Sequence, residues 1–513
     1  MTAATICWAR EFAVLAARFA ERPAVSDLSG EITYADLFGR AALLGRSLLD
    51  ADIRPGEPVA TFLRNGIPAV WASCGVTMSG AAETPLNPRL GEADRRHCVA
   101  VAKARHVVTS APHSPFFENL GLTVHRIEEV GQGEFDITGF PSVPLDAWGK
   151  ILFTSGTTGL PKGVVYDQRG RWLSNLLLRA SLPVTPRADG RLLLMTPFSH
   201  GASLMTYAYL DHGAPVTLLD GVDPEIILPM IERGEIDEMF APPTVLTKIV
   251  AAAGQRRYPG LRTLFCGTAV LSPGLYARAR EIFGPVVRVT YGKSEVFNPI
   301  TVLEGAETEV WYREGGPDAS ACIGWPASGV EIAIWSEEGA PCALGELGEV
   351  HIRARHMMRG YLRLRGYEPM EADAFHATGD LGYLDQRGRL HLVGRSADVI
   401  KTGGYKVAPE EVELALGPAI LPGEGAAVGI PSEYWGEVIV LAVERAPEGW
   451  REKAESAAQG MTAYKRPRAY VELDHLPRNA MAKVQRSRIR DYVLRHYRLV
   501  DGVHPQLEPG QAG

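Results

Sequence analysis

The sequence lacks the features that mark several protein classes. Its six cysteines, Cys7, Cys74, Cys98, Cys266, Cys322 and Cys342, are scattered, and none stands in a CxxC pair. This removes the common zinc-ligand spacings and any sign of a disulfide framework. The simplest reading is reduced thiols that serve as packing residues in a cytoplasmic protein. No uncharged apolar run reaches the roughly 18 residues needed to span a bilayer. The opening stretch carries Arg10, Glu11 and Arg18 among apolar residues, which predicts an amphipathic helix and not a signal peptide. Basic charge is also in short supply: 53 Lys and Arg stand against 60 Asp and Glu, a net charge of -7. A bulk field that would attract nucleic acid is therefore excluded.

What is present is a chain of 513 residues, 46% hydrophobic and 22% charged. That length exceeds one ordinary core, so two or more globular domains are expected. From about Ile32 the pattern alternates between helical spacing and short apolar runs. "TYADLFGRAALLGRSLLDADI" follows Thr33 as an N-cap, "EPVATFL" reads as a strand, and "LRTLFCGTAV" and "PVVRVTYG" read as later strands. Such alternation implies crossover units and a largely parallel sheet. Near Gly324 the texture changes to hairpins with Gly and Pro turns. After Gly394 a compact mixed unit follows, with "PEEVELAL" as helix and "AAVGI" and "EVIVLAVE" as strands. The tail "LEPGQAG" is expected to be disordered.

The stretch "LFTSGTTGLPKG", Leu152 to Gly163, packs hydroxyls, glycines and one lysine into a loop that begins where the apolar run "ILF" ends. Glycines let backbone N–H groups turn toward a ligand, hydroxyls add donors, and Lys162 adds charge. Together they make an anion cradle suited to polyphosphate. Composition alone also allows a solvated linker. The nucleotide-binding GxxxxGK[ST] pattern is not met, because Gly163 follows Lys162. Four further stretches follow in order: "YGKSE" (Tyr291 to Glu295), "TGD" (Thr378 to Asp380), "GRSADVIKTGGYKV" (Gly394 to Val407) and "LPRNAMAKVQR" (Leu476 to Arg486). Taken singly, Asp380 reads equally as an Asx-turn residue. His200 alone reads as a core or rim histidine. Lys483 alone reads as part of a solvated basic face with Lys465, Arg466, Arg468, Arg478 and Arg486.

In that order these stretches resemble the acyl-adenylate-forming superfamily of acyl-CoA synthetases, firefly luciferases and peptide-synthetase adenylation domains. The resemblance covers nearly the whole chain, from "TYADL" through "TPLNPRL" to the C-terminal lysine loop. It implies an α/β fold. A large N-terminal domain (1–393), with mixed sheets flanked by helices plus a β-rich subdomain, joins a small mobile α+β C-terminal domain (399–513) through a hinge at 394–398. It implies Mg²⁺, ATP and CoA, and a carboxylic acid as the small-molecule partner.

Position by position, the resemblance places Thr154, Ser155, Gly156, Thr157, Thr158, Gly159 and Lys162 around the ATP phosphates. Glu295 is the Mg²⁺ carboxylate. Tyr291, Gly292 and Ser294 lie by the nucleotide, and Gly267, Thr268 and Ala269 form the adenine and acyl pocket strand. Asp380 is implied at the ribose, with Arg395 near ribose and phosphate. His200 and Phe240, with Gly267, are placed at the acyl pocket. Lys483 is the bridging lysine of adenylation, and Gly403, Gly404 and Tyr405 line the pantetheine tunnel. The implied function is an acyl-CoA synthetase that forms acyl-AMP and then the thioester. Alternatives are a ligase that loads a carrier-protein thiol, a variant working mainly on preformed acyl-adenylate, and a non-catalytic adenylate-binding protein.

The chain departs from the family pattern at three places. Lys293 replaces the Met or Gln often found in "YGxTE", and is expected to face solvent or a polar acyl group. Ala397 stands where relatives carry a charged hinge residue, and Ala482 where they carry glycine before the lysine.

Overall fold

The protein is described by a computed structural model covering residues 4–154, 160–315, 321–479 and 483–510. The expected alternation is present: helix Trp8–Phe19 opens the chain and helix Tyr34–Asp50 follows. The Thr33 hydroxyl caps the second helix by accepting from the Asp36 backbone N–H at 3.2 Å. Among the described residues three large sheets, and a two-stranded pair of Thr5–Ile6 with Val143–Pro144, make up the first part of the chain.

One sheet has seven strands. Val287–Val289, Thr263–Cys266, Glu238–Phe240, Leu192–Leu194, Val216–Leu218 and Pro23–Asp27 run parallel in that order. Gly30–Thr33 closes the edge antiparallel to Pro23–Asp27. Both faces of the central strands are covered, so they read as unbroken apolar runs such as "LLL". Their carboxyl ends lead directly into Gly267, Phe240 and the segment before Tyr291. Ligands in open α/β sheets bind at such ends.

The second sheet has eight strands. Pro58–Phe62, Ala82–Pro85 and His106–Thr109 are parallel, and Trp148–Thr154 joins them beside Ala82–Pro85. Lys162–Asp167 then runs back antiparallel, with Lys162 opposite Thr154. The strands on either side of the hydroxyl-rich stretch therefore form a hairpin pair, in which Ile151, Leu152, Val164 and Val165 are buried. A third, six-stranded antiparallel sheet pairs His376–Leu384 with Leu390–Arg395, which sets Asp380 opposite Arg395.

From Ile400 the strands pair among themselves. Glu424–Ser432 and Gly436–Glu444 form a long antiparallel pair, and Ala469–Leu473 lies parallel to the second. Side chains alternate across this pair. Ile439 and Leu441 pack with Val412 and Leu416 on one face. Val438 and Val440 pack with Ile489 and Val493 on the other.

The expected disorder of the tail is corrected for Leu507 to Gly510; Gln511, Ala512 and Gly513 lie outside the described residues. Gln506–Pro509 pairs antiparallel with Tyr497–Val500, and the Gly510 N–H donates to the His496 carbonyl at 2.7 Å. The Asp501 carboxylate accepts from the Ser432 hydroxyl at 2.7 Å, which ties the hairpin turn to the sheet. Gly and Pro content signals a turn or loop but does not exclude this edge pairing.

Candidate active site

At the hairpin tip, Ser155, Gly156, Thr157, Thr158 and Gly159 lie outside the described residues. The flanking residues are placed. Among the described residues the Thr154 hydroxyl is buried without a hydrogen-bond partner, which calls for an explanation such as a bound ligand. The Lys162 ammonium lies 3.6 Å from the centre of the Tyr361 ring. Burial lowers the Lys162 pKa from its ordinary value, and Glu295 opposes that shift. The Tyr361 hydroxyl donates to the Glu295 carboxylate at 3.2 Å.

The "YGKSE" segment is held from below. The Tyr166 hydroxyl donates to the Ser294 carbonyl at 2.8 Å, and its ring stacks on Phe297 at 3.8 Å. His376 sits within the fields of Glu295, Lys293, Lys162 and Asp380, and burial lowers its pKa. Sequence reasoning missed both Tyr361 and His376, because neither belongs to the quoted motifs. Among the described residues no three His, Cys, Asp or Glu side chains converge on a metal position. A lone carboxylate at Glu295, held by the Tyr361 hydroxyl, suits Mg²⁺, which keeps several waters and takes substrate phosphate oxygens.

The nucleoside end is built on strand ends. Gly267 follows Thr263–Cys266, and a Cβ there would lie 2.7 Å from the Thr290 carbonyl oxygen. Thr268 has φ 71°, so this turn of "CGTAV" holds a non-glycine residue in the left-handed region. Gly292 is packed against the Asn298 side chain, whose Cγ would be 3.0 Å from an added Cβ.

Asp380 stands inside the strand His376–Leu384, which removes the Asx-turn alternative. Its Oδ2 accepts from the Tyr291 hydroxyl and from the Lys293 ammonium, the latter at 2.9 Å. Arg395 Nε lies 3.3 Å from Oδ1. Burial opposes ionisation of Asp380, but Lys293 and then Arg395 outweigh it and hold the carboxyl below its ordinary value. The expectation that Lys293 faces solvent or a polar acyl group is corrected: its buried ammonium is bound by Asp380. It also donates to the Thr378 carbonyl at 2.7 Å.

His200 interrupts the short turn Phe198–Ala202 with φ -126° and ψ -140°. Burial, then Lys150, then Lys483 push its pKa down to about 4, so it is neutral near pH 7. The Ser203 hydroxyl donates to the His200 carbonyl at 2.8 Å, and Lys150 Nζ lies 3.1 Å from that hydroxyl oxygen. Lys150 is in turn paired with Glu83 at 3.1 Å. Phe240 ends its strand half-buried.

The C-terminal segment reaches into this cleft through Lys483. Burial, Arg395 and Lys293 lower its pKa to about 8, while Asp380 and Glu295 pull the other way. The Asn479 side chain accepts from the Lys483 N–H at 3.0 Å and shapes the loop; Ala482 lies outside the described residues. Gly403 and Gly404 adopt φ 57° and 82°, and Tyr405 is exposed. Their partners are Trp435, whose carbonyl accepts from the Gly403 N–H at 2.7 Å, and Tyr464, stacked on Tyr405 at 4.1 Å. Half of the basic face proves to be neutralised: Lys465 pairs with Glu411, Arg478 with Glu424, and Arg486 with Glu413. Arg468 instead lies 3.6 Å over the Trp435 ring.

Residues 12–362 match the family model described as AMP-binding enzyme. The chain is 28% identical to the 2-succinylbenzoate--CoA ligase of Bacillus licheniformis over 481 residues, which cover 91% of this chain and 96% of that one. It is 29% identical to a feruloyl-CoA synthase of Amycolatopsis sp over 476 residues, 90% of this chain and 93% of that one. Among solved structures, o-succinylbenzoate CoA synthetase from Bacillus subtilis in complex with its acyl-adenylate intermediate is similar. It superposes with a TM-score of 0.81 at 25% identity, covering 96% of this chain and 99% of that one. A family model that spans most of the chain, over the same fold, identifies the chain as a member of the AMP-binding enzyme family.

Proposed function

We propose that the protein is an AMP-forming acid–thiol ligase that activates a carboxylic acid as its acyl-adenylate and transfers the acyl group to CoA. The observation that supports this most strongly is the placement of Lys483. It comes from the far end of the chain, yet lies half-buried within the fields of Arg395, Lys293, Asp380 and Glu295. A cation at that place suits a reaction in which a carboxylate and a phosphate, both anionic, must meet.

In the first half-reaction a carboxylate oxygen forms a bond to the α-phosphorus of ATP, and the bond from that phosphorus to the bridging oxygen breaks. The electron pair leaves with pyrophosphate. Such transfer needs charge neutralisation and alignment more than proton movement. Lys162 faces the departing phosphates from the hairpin base, and Thr154 offers its free hydroxyl. Lys483 bridges the attacking carboxylate and the α-phosphate. Glu295 would hold Mg²⁺, which would supply further neutralisation of the phosphates. Asp380 receives the ribose and Arg395 the adjoining phosphate. Neutral His200 lines the acyl side without adding a charge.

In the second half-reaction the CoA thiolate attacks the acyl carbonyl, the C–S bond forms, and AMP leaves. Residues 1–393 and 399–513 act as two bodies about a hinge at 394–398, so that Lys483 withdraws and Gly403, Gly404 and Tyr405 turn to the cleft. The large number of strand pairings inside the C-terminal unit supports its moving as one body. Limited proteolysis should cut near 394–398 and respond to ligands.

The acid is bulky and aromatic in this reading. The relatives named above carry 2-succinylbenzoate and feruloyl in their names, and small residues follow the pocket strands at Gly201, Ala202, Gly267 and Ala269. Among the described residues no helix is long and apolar enough to cross a membrane, and we place the enzyme in the cytoplasm. The test is ATP–pyrophosphate exchange across a panel of aromatic and aliphatic acids, followed by thioester formation with CoA. Exchange with none of them, in protein that binds Mg-ATP, would remove the ligase reading. Exchange without CoA thioester would point to a carrier-protein thiol as acceptor.

A further inference from the structure

Lys483 stands on one of two short legs of chain, 476–479 and 483–486, that are fastened to the C-terminal sheet. Arg478 and Val484 face each other as an antiparallel bridge. On one side of the bridge the Gln485 N–H donates to the Pro477 carbonyl at 2.8 Å. On the other the Asn479 N–H donates to the Lys483 carbonyl at 2.9 Å. Residues paired in this way ordinarily exchange two backbone hydrogen bonds. Here the return bond takes another path: the Lys483 N–H donates at 3.0 Å to Oδ1 of the Asn479 side chain. The amide of the lysine is thus held by a side chain, so the identity of residue 479 matters where that of an ordinary hairpin residue would not.

The base of the legs is tied to the sheet. Glu424 and Glu444 lie opposite each other in the long strand pair. The Arg478 guanidinium donates to both, at 2.7 Å and 3.1 Å, and the Leu476 N–H donates to Glu444 at 2.7 Å. Glu444 is buried. With the base fixed in this way, the end that carries Lys483 is left, and Asn479 closes it.

We propose that Asn479 is a positioning residue for acyl-adenylate formation: it holds the Lys483 backbone by both its N–H and its carbonyl and so presets where the ammonium enters the cleft. This inference rests on the reading of Lys483 as the bridging cation. Asn479 touches neither acid nor nucleotide in it and works through Lys483. Without the side-chain acceptor the Lys483 N–H loses its partner, and the lysine must find its place in each turnover.

The test compares the wild type with Asn479→Ala, Asn479→Asp, Asn479→Ser and Lys483→Ala. Each is read for ATP–pyrophosphate exchange with ferulate, 2-succinylbenzoate and the rest of the acid panel. Each is read again for thioester formation from CoA and the synthetic adenylate of the acid that the wild type takes best. Asn479→Ala should slow exchange roughly 10- to 100-fold, the scale for misplacing a reacting group by about 1 Å. It should leave the thioester half-reaction at the wild-type rate, a split that general loss of stability would not produce. Asn479→Asp and Asn479→Ser each keep an acceptor, one charged and one neutral, and at least one should restore most of the exchange. Exchange in Asn479→Ala at the wild-type rate overturns the assignment. So does loss of both half-reactions together, which would make Asn479 a folding residue, and so does failure of both acceptor variants to restore exchange. The underlying reading fails separately. If Lys483→Ala exchanges as fast as the wild type, Lys483 is not the bridging cation. If the wild type exchanges with no acid, the ligase reading is removed. Either result ends this inference with it.

Discussion

The Lys162 ammonium and the Tyr361 ring form a face-on pair at 3.6 Å, and the same tyrosine donates to Glu295. One aromatic side chain therefore positions both the cation and the carboxylate assigned to the phosphate end.

Removing either charge should slow acyl-adenylate formation whatever the acid. Lys162→Ala is expected to reduce the exchange rate roughly a hundredfold or more, the usual scale for losing a transition-state charge contact. Glu295→Gln should raise the Mg²⁺ concentration needed for half-maximal rate. Tyr361→Phe keeps the ring under Lys162 and loses only the bond to Glu295, so its rate should fall less than that of Lys162→Ala. Exchange assays over a Mg²⁺ series would check all three. Normal rates in both charge variants would show that the hairpin tip is not the phosphate site.

The two half-reactions should depend on different residues. Lys483→Ala is expected to fail with acid and ATP, yet still convert supplied acyl-adenylate and CoA to thioester. Gly403→Leu should do the reverse, since Gly403 has φ 57° and an added Cβ would lie 3.1 Å from the Trp435 ring. Thioester formation from synthetic adenylate, set beside exchange, reads the split.

Lys483 should take up a proton when Mg-ATP binds at alkaline pH. Burial, Arg395 and Lys293 lower its pKa to about 8, so above pH 8 the neutral amine dominates. Phosphate oxygens favour the cation and raise that pKa again. Binding calorimetry at pH 8.5 in buffers of different ionisation enthalpy should show net uptake, and Lys483→Met should remove it. Below about pH 7 the lysine is already protonated and uptake at this site should vanish.

The buried cluster under His200 should matter for stability. Glu83 accepts from the Ser73 hydroxyl and pairs with Lys150 and Arg171, both at 3.1 Å, with side chains 1%, 2% and 6% exposed respectively. Glu83→Ala leaves two cations buried without their anion and should cost about 3–5 kcal/mol in urea unfolding. Lys150→Met leaves Glu83 paired with Arg171 and should cost less. Equal losses would mean the cluster does not work as a charge unit.

The sequence by itself determined the order of the chemical stretches and the strands that carry them. Thr154, Lys162, Gly267 and Tyr291 all sit at or near strand ends, and a strand end is legible from a short apolar run that stops at Gly, Ser or Thr. The alternation "AAVGI" and "EVIVLAVE" likewise fixed a paired sheet, because side chains in a strand alternate between faces. Tertiary structure alone decided the partners. Lys293 meets Asp380 across 87 positions of sequence, and nothing local to "YGKSE" says where a long flexible ammonium will be neutralised. Tyr361 and His376 carry no motif, since their importance comes from which strands lie side by side. The tail became a hairpin because Gly510 and Asp501 found backbone and hydroxyl partners on elements already folded. Local pattern records which backbone conformations and buried faces a segment can adopt. Pairing of charges and edges depends on distances that exist only once the sheets have been brought together.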